Sequence, residues 1–232
     1  VEDVMKNVFI GVDHSGTYRV YITVSTQLVE EARKVHHTTP LATAALGRVL
    51  TGTALMGLML KEEDAKVTVI FKGDGPLEQI LATANGKGKV KGYVANPGAD
   101  LPLSKEGKLN VGAGMGEGEL TVIKDIGLKE PHLDGESQES DEMQDIPVKA
   151  LTQRIFGEMP EEYRLKEVDL REISWHCDCS RQRLEQVVMA MGRKDLETII
   201  QEDGGAELVC SFCNSKYYFD RKDLERIYHS IQ

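Results

Sequence analysis

The chain has 232 residues and a mass of 25.7 kDa, with 41% hydrophobic and 28% charged residues. That is enough to bury a sizeable core, and it excludes collagen-like and disordered classes. Lys and Arg number 28 against 38 Asp and Glu, for a net charge of −10, so the molecule as a whole repels polyphosphate and offers no general basic footprint to nucleic acid.

The first residues, Val1 to Met5, show no basic stretch leading into an apolar one, so no secretory signal is expected and the cytoplasm is the expected compartment. Residues 7–24 read as a hairpin: Val8, Phe9 and Ile10, then the turn Asp13-His14-Ser15-Gly16, then alternating Tyr18, Val20, Ile22 and Val24. Residues 27–37 suggest a charged helix ending at His36-His37, and Pro40 restarts the chain. Leu41 to Leu60 is long enough for a membrane span. It carries Arg48 near its middle, however, and is rich in Thr, Ala and Gly, so a buried core helix is expected and no membrane partner. Its small residues Ala42, Ala44, Ala45, Gly47, Gly52 and Gly57 would let other backbones approach closely.

Beyond Lys61 the signals turn to strands, at residues 66–72, 77–83, 89–94 and 119–124. The first three are punctuated by Gly73-Asp74-Gly75-Pro76, Asn85-Gly86-Lys87-Gly88 and Asn96-Pro97-Gly98. Short strands joined by tight turns imply an antiparallel sheet, and with the preceding helices an α+β fold. Gly112-Ala-Gly114-Met-Gly116 resembles a dinucleotide loop but lacks the third glycine in register. Gly47 to Thr53 has phosphate-loop spacing without a lysine. Both read as packing and turn glycines.

Residues 131–145 hold six acids, no Lys or Arg and almost nothing apolar, and read as a loop or linker. Pro147 then opens an amphipathic helix with Val148, Leu151 and Ile155 on one face, closing at Gly157. After Pro160 the pattern is ambiguous until a short alternation of Ile173 and Trp175.

All four cysteines fall in the last part of the chain, as Cys177-Asp-Cys179 and Cys210-Ser-Phe-Cys213. Two close pairs separated by thirty residues suit a tetrahedral Zn(II) site, each turn supplying two thiolates. His176 is a neighbour rather than a ligand, since four thiolates complete the shell. Between the pairs, Leu184, Val187, Val188 and Met191 form one helical stripe, and Leu196, Ile199 and Ile200 another. Two short strands at 206–209 and 216–219 flank the second pair as a zinc-knuckle hairpin, and Asp220 caps a last helix. So small a core needs the metal for much of its folding energy. An oxidant that takes two electrons from each close pair would close each pair on itself and eject the metal, so the site can act as a redox fuse.

The two cysteine pairs, with Ile200-Gln-Glu-Asp-Gly-Gly before the second and Cys213-Asn-Ser-Lys-Tyr after it, resemble the redox-regulated 33 kDa heat-shock chaperone family (33 kDa chaperonin). His37 to Pro40, Ala45-Leu46-Gly47-Arg48, Gly73-Asp74-Gly75-Pro76, Gly92 to Pro97 and Asp125 to Lys129 are similar to that family's pattern. The resemblance implies that Cys177, Cys179, Cys210 and Cys213 hold one Zn(II) per monomer in the reduced, inactive state. It further implies that oxidation forms the disulfides Cys177–Cys179 and Cys210–Cys213, releases zinc and unfolds the C-terminal domain with its linker. The exposed apolar surface then holds unfolding client proteins, with a homodimer as a further partner state of the oxidised form; no ATP is expected to be needed, since the sequence offers no phosphate-binding loop. Val148, Leu151 and Ile155 are the expected cover of that surface. The resemblance also implies on the order of 60 further residues after Pro131, where this chain has its acidic segment.

The expected organisation is an N-terminal α+β domain over 1–130, the acidic loop or linker over 131–145, a helical linker over 146–172 and a C-terminal zinc-binding α+β domain over 173–232. Two other classes stay open at this point. One is a thiol-disulfide oxidoreductase working through Cys210 and Cys213; the other is a zinc-ribbon adaptor binding protein or nucleic acid, disfavoured by the net −3 of residues 146–232.

Overall fold

The computed structural model describes residues 6–125, 132–133 and 148–231. The chain divides into two compact units, the first ending at His176 and the second starting at Cys177.

The first unit is built from two sheets. In the smaller, the hairpin of β1 (Val8–Asp13) and β2 (Arg19–Thr23) is joined on its other edge by β8 (Leu165–Arg171), all antiparallel, in the order β2-β1-β8. The larger sheet has the order β7-β6-β3-β4-β5-β9, from β3 (Lys66–Gly73), β4 (Gln79–Asn85), β5 (Lys89–Val94), β6 (Gly118–Asp125), β7 (His132–Leu133) and β9 (Ser174–Trp175). Every pairing in it is antiparallel except β5 with β9, which run parallel. Burial alternates along the strands, so that Val67, Val69, Ile80, Ala82, Ala84, Val90 and Val94 all point to one buried face.

Against that face lies α2 (Pro40–Leu58), which follows α1 (Thr26–His36). Thr39 caps α2 by accepting from the Ala42 N–H, and Pro40 occupies its first turn, where the missing N–H costs nothing. By length and composition α2 could cross a membrane; here Leu41, Leu46, Leu50 and Ala54 are buried in the main core. Its glycines do what their size allows. A Cβ at Gly47 would meet Val29 of α1 at 2.9 Å, and one at Gly57 would meet the Asn85 carbonyl of β4 at 2.7 Å. Gly52, by contrast, faces open space. His36 closes α1 and is buried, its Nε2 2.9 Å from the Gly92 carbonyl, and His37 takes the left-handed conformation that ends the helix. The glycine run around residue 114 forms the short helix α3 (Val111–Met115) and a tight turn into β6, with Gly116 at φ 71°.

Residues 146–172 differ from a helical linker. They contain α4 (Val148–Phe156), a 3-10 turn at Glu161–Tyr163 and then β8, which is built into the first unit's smaller sheet. Ile173 is 2% exposed in the main core, and β9 follows at once. The first unit therefore includes the chain up to His176, whose N–H donates to the Val90 carbonyl at 2.9 Å. Apart from the two residues of β7, the acidic segment 131–145 lies outside the described residues.

The second unit holds α5 (Arg181–Ala190), α6 (Arg193–Glu202), the hairpin of β10 (Gly205–Val209) and β11 (Lys216–Asp220), and α7 (Arg221–Ser230). Val188, Leu196, Ile200, Phe219, Leu224 and Ile227 are its buried core. Asp220 opens α7 with a capping box, exchanging hydrogen bonds with Asp223. At roughly 1.5–3 kcal/mol for each large apolar side chain, this core is slight beside the entropy of ordering some fifty residues.

Candidate metal centre

Two turns of the second unit carry the four cysteines. Cys177 and Cys179 lie in the stretch leading into α5. Ser180 caps that helix by accepting from the Arg183 N–H at 3.3 Å, while Arg183 reaches back to donate to the Asp178 carbonyl at 2.9 Å and to pair with its carboxylate. The helix start thus fixes the first pair. Cys210 and Cys213 form the turn of the β10–β11 hairpin. The N–H groups of Cys213 and Asn214 both donate to the Cys210 carbonyl, and Asn214 takes a left-handed φ of 56° to complete the knuckle. The Cys210 N–H donates in turn to the Ser215 carbonyl at 2.9 Å.

The four sulfurs lie within 4.8 Å of one another, and all four cysteines are free thiols. Cys177 and Cys210 approach to 3.7 Å, and Cys179 and Cys213 to 3.4 Å, so each contact joins one sequence pair to the other. A tetrahedron with metal–sulfur bonds of about 2.3 Å has sulfur–sulfur edges of about 3.8 Å. The donor set and its spacing therefore fit a four-coordinate metal ion such as zinc(II). Among the described residues this is the one such group of His, Cys, Asp and Glu, and it does not include His176, which belongs to the first unit.

Their surroundings differ. Burial pushes the Cys177 thiol well up, and it pushes Cys210 up as well, although the Phe212 and Cys213 N–H groups favour the Cys210 thiolate. Burial acts the same way on Cys213, but there the Ser215 hydroxyl and N–H, together with the neighbouring sulfurs, outweigh it and hold the thiol at about 7. The motif Cys213-Asn-Ser-Lys-Tyr contains two polar neighbours whose place at the centre sequence reasoning missed: Ser215, and Tyr217, whose hydroxyl is 3.2 Å from Cys179 Sγ. Tyr217 lies opposite Leu208 in the hairpin, a register the sequence signals only through the two short strands. The hydrogen bond with Cys179, and then burial, push its hydroxyl up to about 12.

The Cys210 turn joins two strands, so the second pair lacks the helix N-terminus that is one source of a stabilised attacking thiolate. The apolar stripe expected on α4 is not presented as one buried face. Val148 and Thr152 are buried as the helix lies against β1 and β2, while Ile155 is 52% exposed; the side chain of Leu151 lies outside the described residues.

The family model described as "Hsp33 protein" matches residues 7–135 and 132–220. The chain is 36% identical to the 33 kDa chaperonin of Alkaliphilus oremlandii, with 98% of each chain covered, and 35% identical to that of Clostridioides difficile, covering 92% of this chain and 95% of the other. It is also similar to the crystal structure of the 33 kDa chaperonin from Thermotoga maritima, with a TM-score of 0.79 and 26% identity over 97% of this chain and 98% of that one. The alignment with the Alkaliphilus protein runs over 292 positions against 232 residues here, so about 60 positions of it have no counterpart in this chain. The family match breaks in two at residues 132–135, the region where the sequence departs from the resemblance.

Proposed function

The chain belongs to the Hsp33 protein family, a family of chaperones rather than enzymes, and on that footing we propose that it is a cytoplasmic redox-regulated holdase. In the reduced state Cys177, Cys179, Cys210 and Cys213 hold one zinc ion. The metal supplies cross-linking that the small apolar core of the second unit lacks. Oxidation by a peroxide couples each sequence pair: two thiols and one hydrogen peroxide give one disulfide, Cys177–Cys179 or Cys210–Cys213, and two waters. A disulfide sulfur no longer serves as a thiolate ligand, so the metal leaves and the unit loses its principal cross-link.

The observation that carries this reading is the convergence of the two sequence pairs: all four sulfurs lie within 4.8 Å of one another, and Cys177 with Cys210 and Cys179 with Cys213 tie one pair to the other. Closing each pair on itself removes those ties. For the client surface we favour the outer face of the larger sheet, where Ile70, Leu81 and Ile123 stand half-exposed among Thr68, Thr83 and Thr121. Unfolding proteins present apolar segments, and such a face binds them without nucleotide. A role for Val148, Leu151 and Ile155 as a cover, which from the place of α4 would lie over β1 and β2 of the smaller sheet and make that sheet a second client surface, and a homodimer of the oxidised form, remain parts of the same proposal.

The test is light scattering of a heat-denatured client protein, with this chain added either reduced and zinc-loaded or after treatment with peroxide and mild heat. Suppression of aggregation only by the oxidised chain is expected. Equal suppression by both forms, or none by a chain whose disulfides have formed, would overturn the proposal.

A further inference from the structure

Three of the four sulfurs find polar partners within their own turn. Cys177 lies by the Cys179 N–H, Cys210 by the N–H groups of Phe212 and Cys213, and the Cys213 thiol donates to the Ser215 hydroxyl at 3.2 Å. Cys179 differs, because its hydroxyl neighbour arrives from 38 residues away: Tyr217 on β11, with Oη at 3.2 Å from Sγ. The same hydroxyl lies 3.4 Å from the Cys179 carbonyl oxygen. An O–H···O bond is normally ~2.7–2.8 Å long, so the carbonyl is a poor acceptor at that distance, whereas sulfur, with its larger radius, is met at close range. The ring is half-buried and packs against the core of the second unit, which fixes where the hydroxyl points.

We propose that Tyr217 is a positioning residue for the thiol centre: its hydroxyl donates a hydrogen bond to the Cys179 thiolate, strengthens metal retention and slows oxidation of the Cys177–Cys179 pair. The inference rests on the four-thiolate metal reading and adds a residue to it. Outer hydrogen bonds orient metal ligands and tune them, and their loss typically weakens metal affinity ~10–100-fold. The same bond occupies a sulfur lone pair. In oxidation that lone pair attacks a peroxide oxygen, breaking the O–O bond to leave Cys179 as a sulfenic acid and release hydroxide. The Cys177 thiolate then attacks the sulfenic sulfur, forming the disulfide and expelling a second hydroxide. A donor that holds the lone pair lowers the nucleophilicity on which the first step depends.

The experiment compares the full chain with Tyr217→Phe, which keeps the ring, and with Tyr218→Phe, which removes the hydroxyl of the 61% exposed neighbour. In zinc-loaded, reduced protein, Tyr217→Phe should weaken zinc roughly 10-fold in chelator competition and release it several-fold faster under hydrogen peroxide. With cobalt(II) in place of zinc, the thiolate-to-metal charge-transfer band should move to lower energy, a change that a purely structural role would not produce. Tyr218→Phe should match the native chain in all three. If Tyr217→Phe does not fold, 3,5-difluorotyrosine at position 217 keeps the ring and makes the hydroxyl a stronger donor; the cobalt band should then move to higher energy and zinc release should slow. Unchanged affinity, release rate and band in metal-loaded protein would overturn the role of Tyr217 alone, whereas a reduced native chain that takes up no zinc would overturn the metal reading along with it.

Discussion

Asn7 holds the backbone of Ile173 on both sides, its Nδ2 donating to the Ile173 carbonyl at 3.1 Å and its Oδ1 accepting from the Ile173 N–H at 2.8 Å. One amide side chain near the start of the first unit thereby fixes the residue from which β9 and the approach to the cysteines begin. Ile173 itself is 2% exposed, so its peptide groups have little access to water. Asn7→Ala should therefore cost about 1–3 kcal/mol, the penalty for leaving such groups unsatisfied. Amide exchange should show lost protection at residues 173–176 before any loss in β3 and β4.

That clamp, with the pairing of β8 to β1 and of β9 to β5, sets where oxidative unfolding should stop. Structural zinc contributes ~10–16 kcal/mol to small metal-dependent domains, more than the ~5–15 kcal/mol net stability of an ordinary one. Peroxide with mild heat should strip exchange protection from residues 177–232 and leave residues 165–176 protected with the first unit. Loss extending through β8 would contradict this boundary.

The reduced chain should bind one zinc ion, and Cys177→Ser or Cys213→Ser should each weaken it sharply, because each leaves three thiolates. Mass spectrometry under non-denaturing conditions reads the stoichiometry directly. A value near zero in fully reduced protein would refute the four-thiolate site.

Acid should release the same metal. Bound thiolates exclude protons, so affinity strengthens as pH rises through the thiol pKa values and weakens as it falls. Cys177 and Cys210, pushed up by burial, take protons most readily; Cys213, held at about 7, does so last. Chelator competition between about pH 6 and 8 should show a steep loss of affinity toward the acid end.

On α4 the two ends of the expected stripe should behave differently. Ile155 is 52% exposed and Val148 buried, so Ile155→Glu should change stability by no more than about 0.5 kcal/mol, whereas Val148→Asp should destabilise by several times that. If α4 is the cover, Val148→Asp should also suppress client aggregation in the reduced state, read by light scattering, with Ile155→Glu showing little effect.

The cysteines were legible because ligand spacing is a local property, written in two turns and the residues that flank them. The β3 to β5 strands were legible because short apolar runs are bounded there by strong Gly, Asn and Pro turn signals. β8 was hidden for a physical reason. Its register against β1 shifts between Ile10 and Gly11, leaving Val168 without a partner and 54% exposed, so the inward and outward positions change sense midway and no period of two survives. The parallel pairing of β9 rests on two residues and on Asn7, which no local pattern announces. Tyr217 escaped notice because its meeting with Cys179 depends on how the hairpin folds over the first cysteine turn, a tertiary matter.

Trp175 is the chain's sole tryptophan. It sits on β9, packed against the main core, with its ring edge-on to His36 at a centroid distance of 5.8 Å, two residues ahead of Cys177. The molecule thus carries its own optical gauge near the end of its first unit. Because the ring packs on that unit's core, a shift of its emission toward the red would date the moment at which unfolding crosses into the first unit.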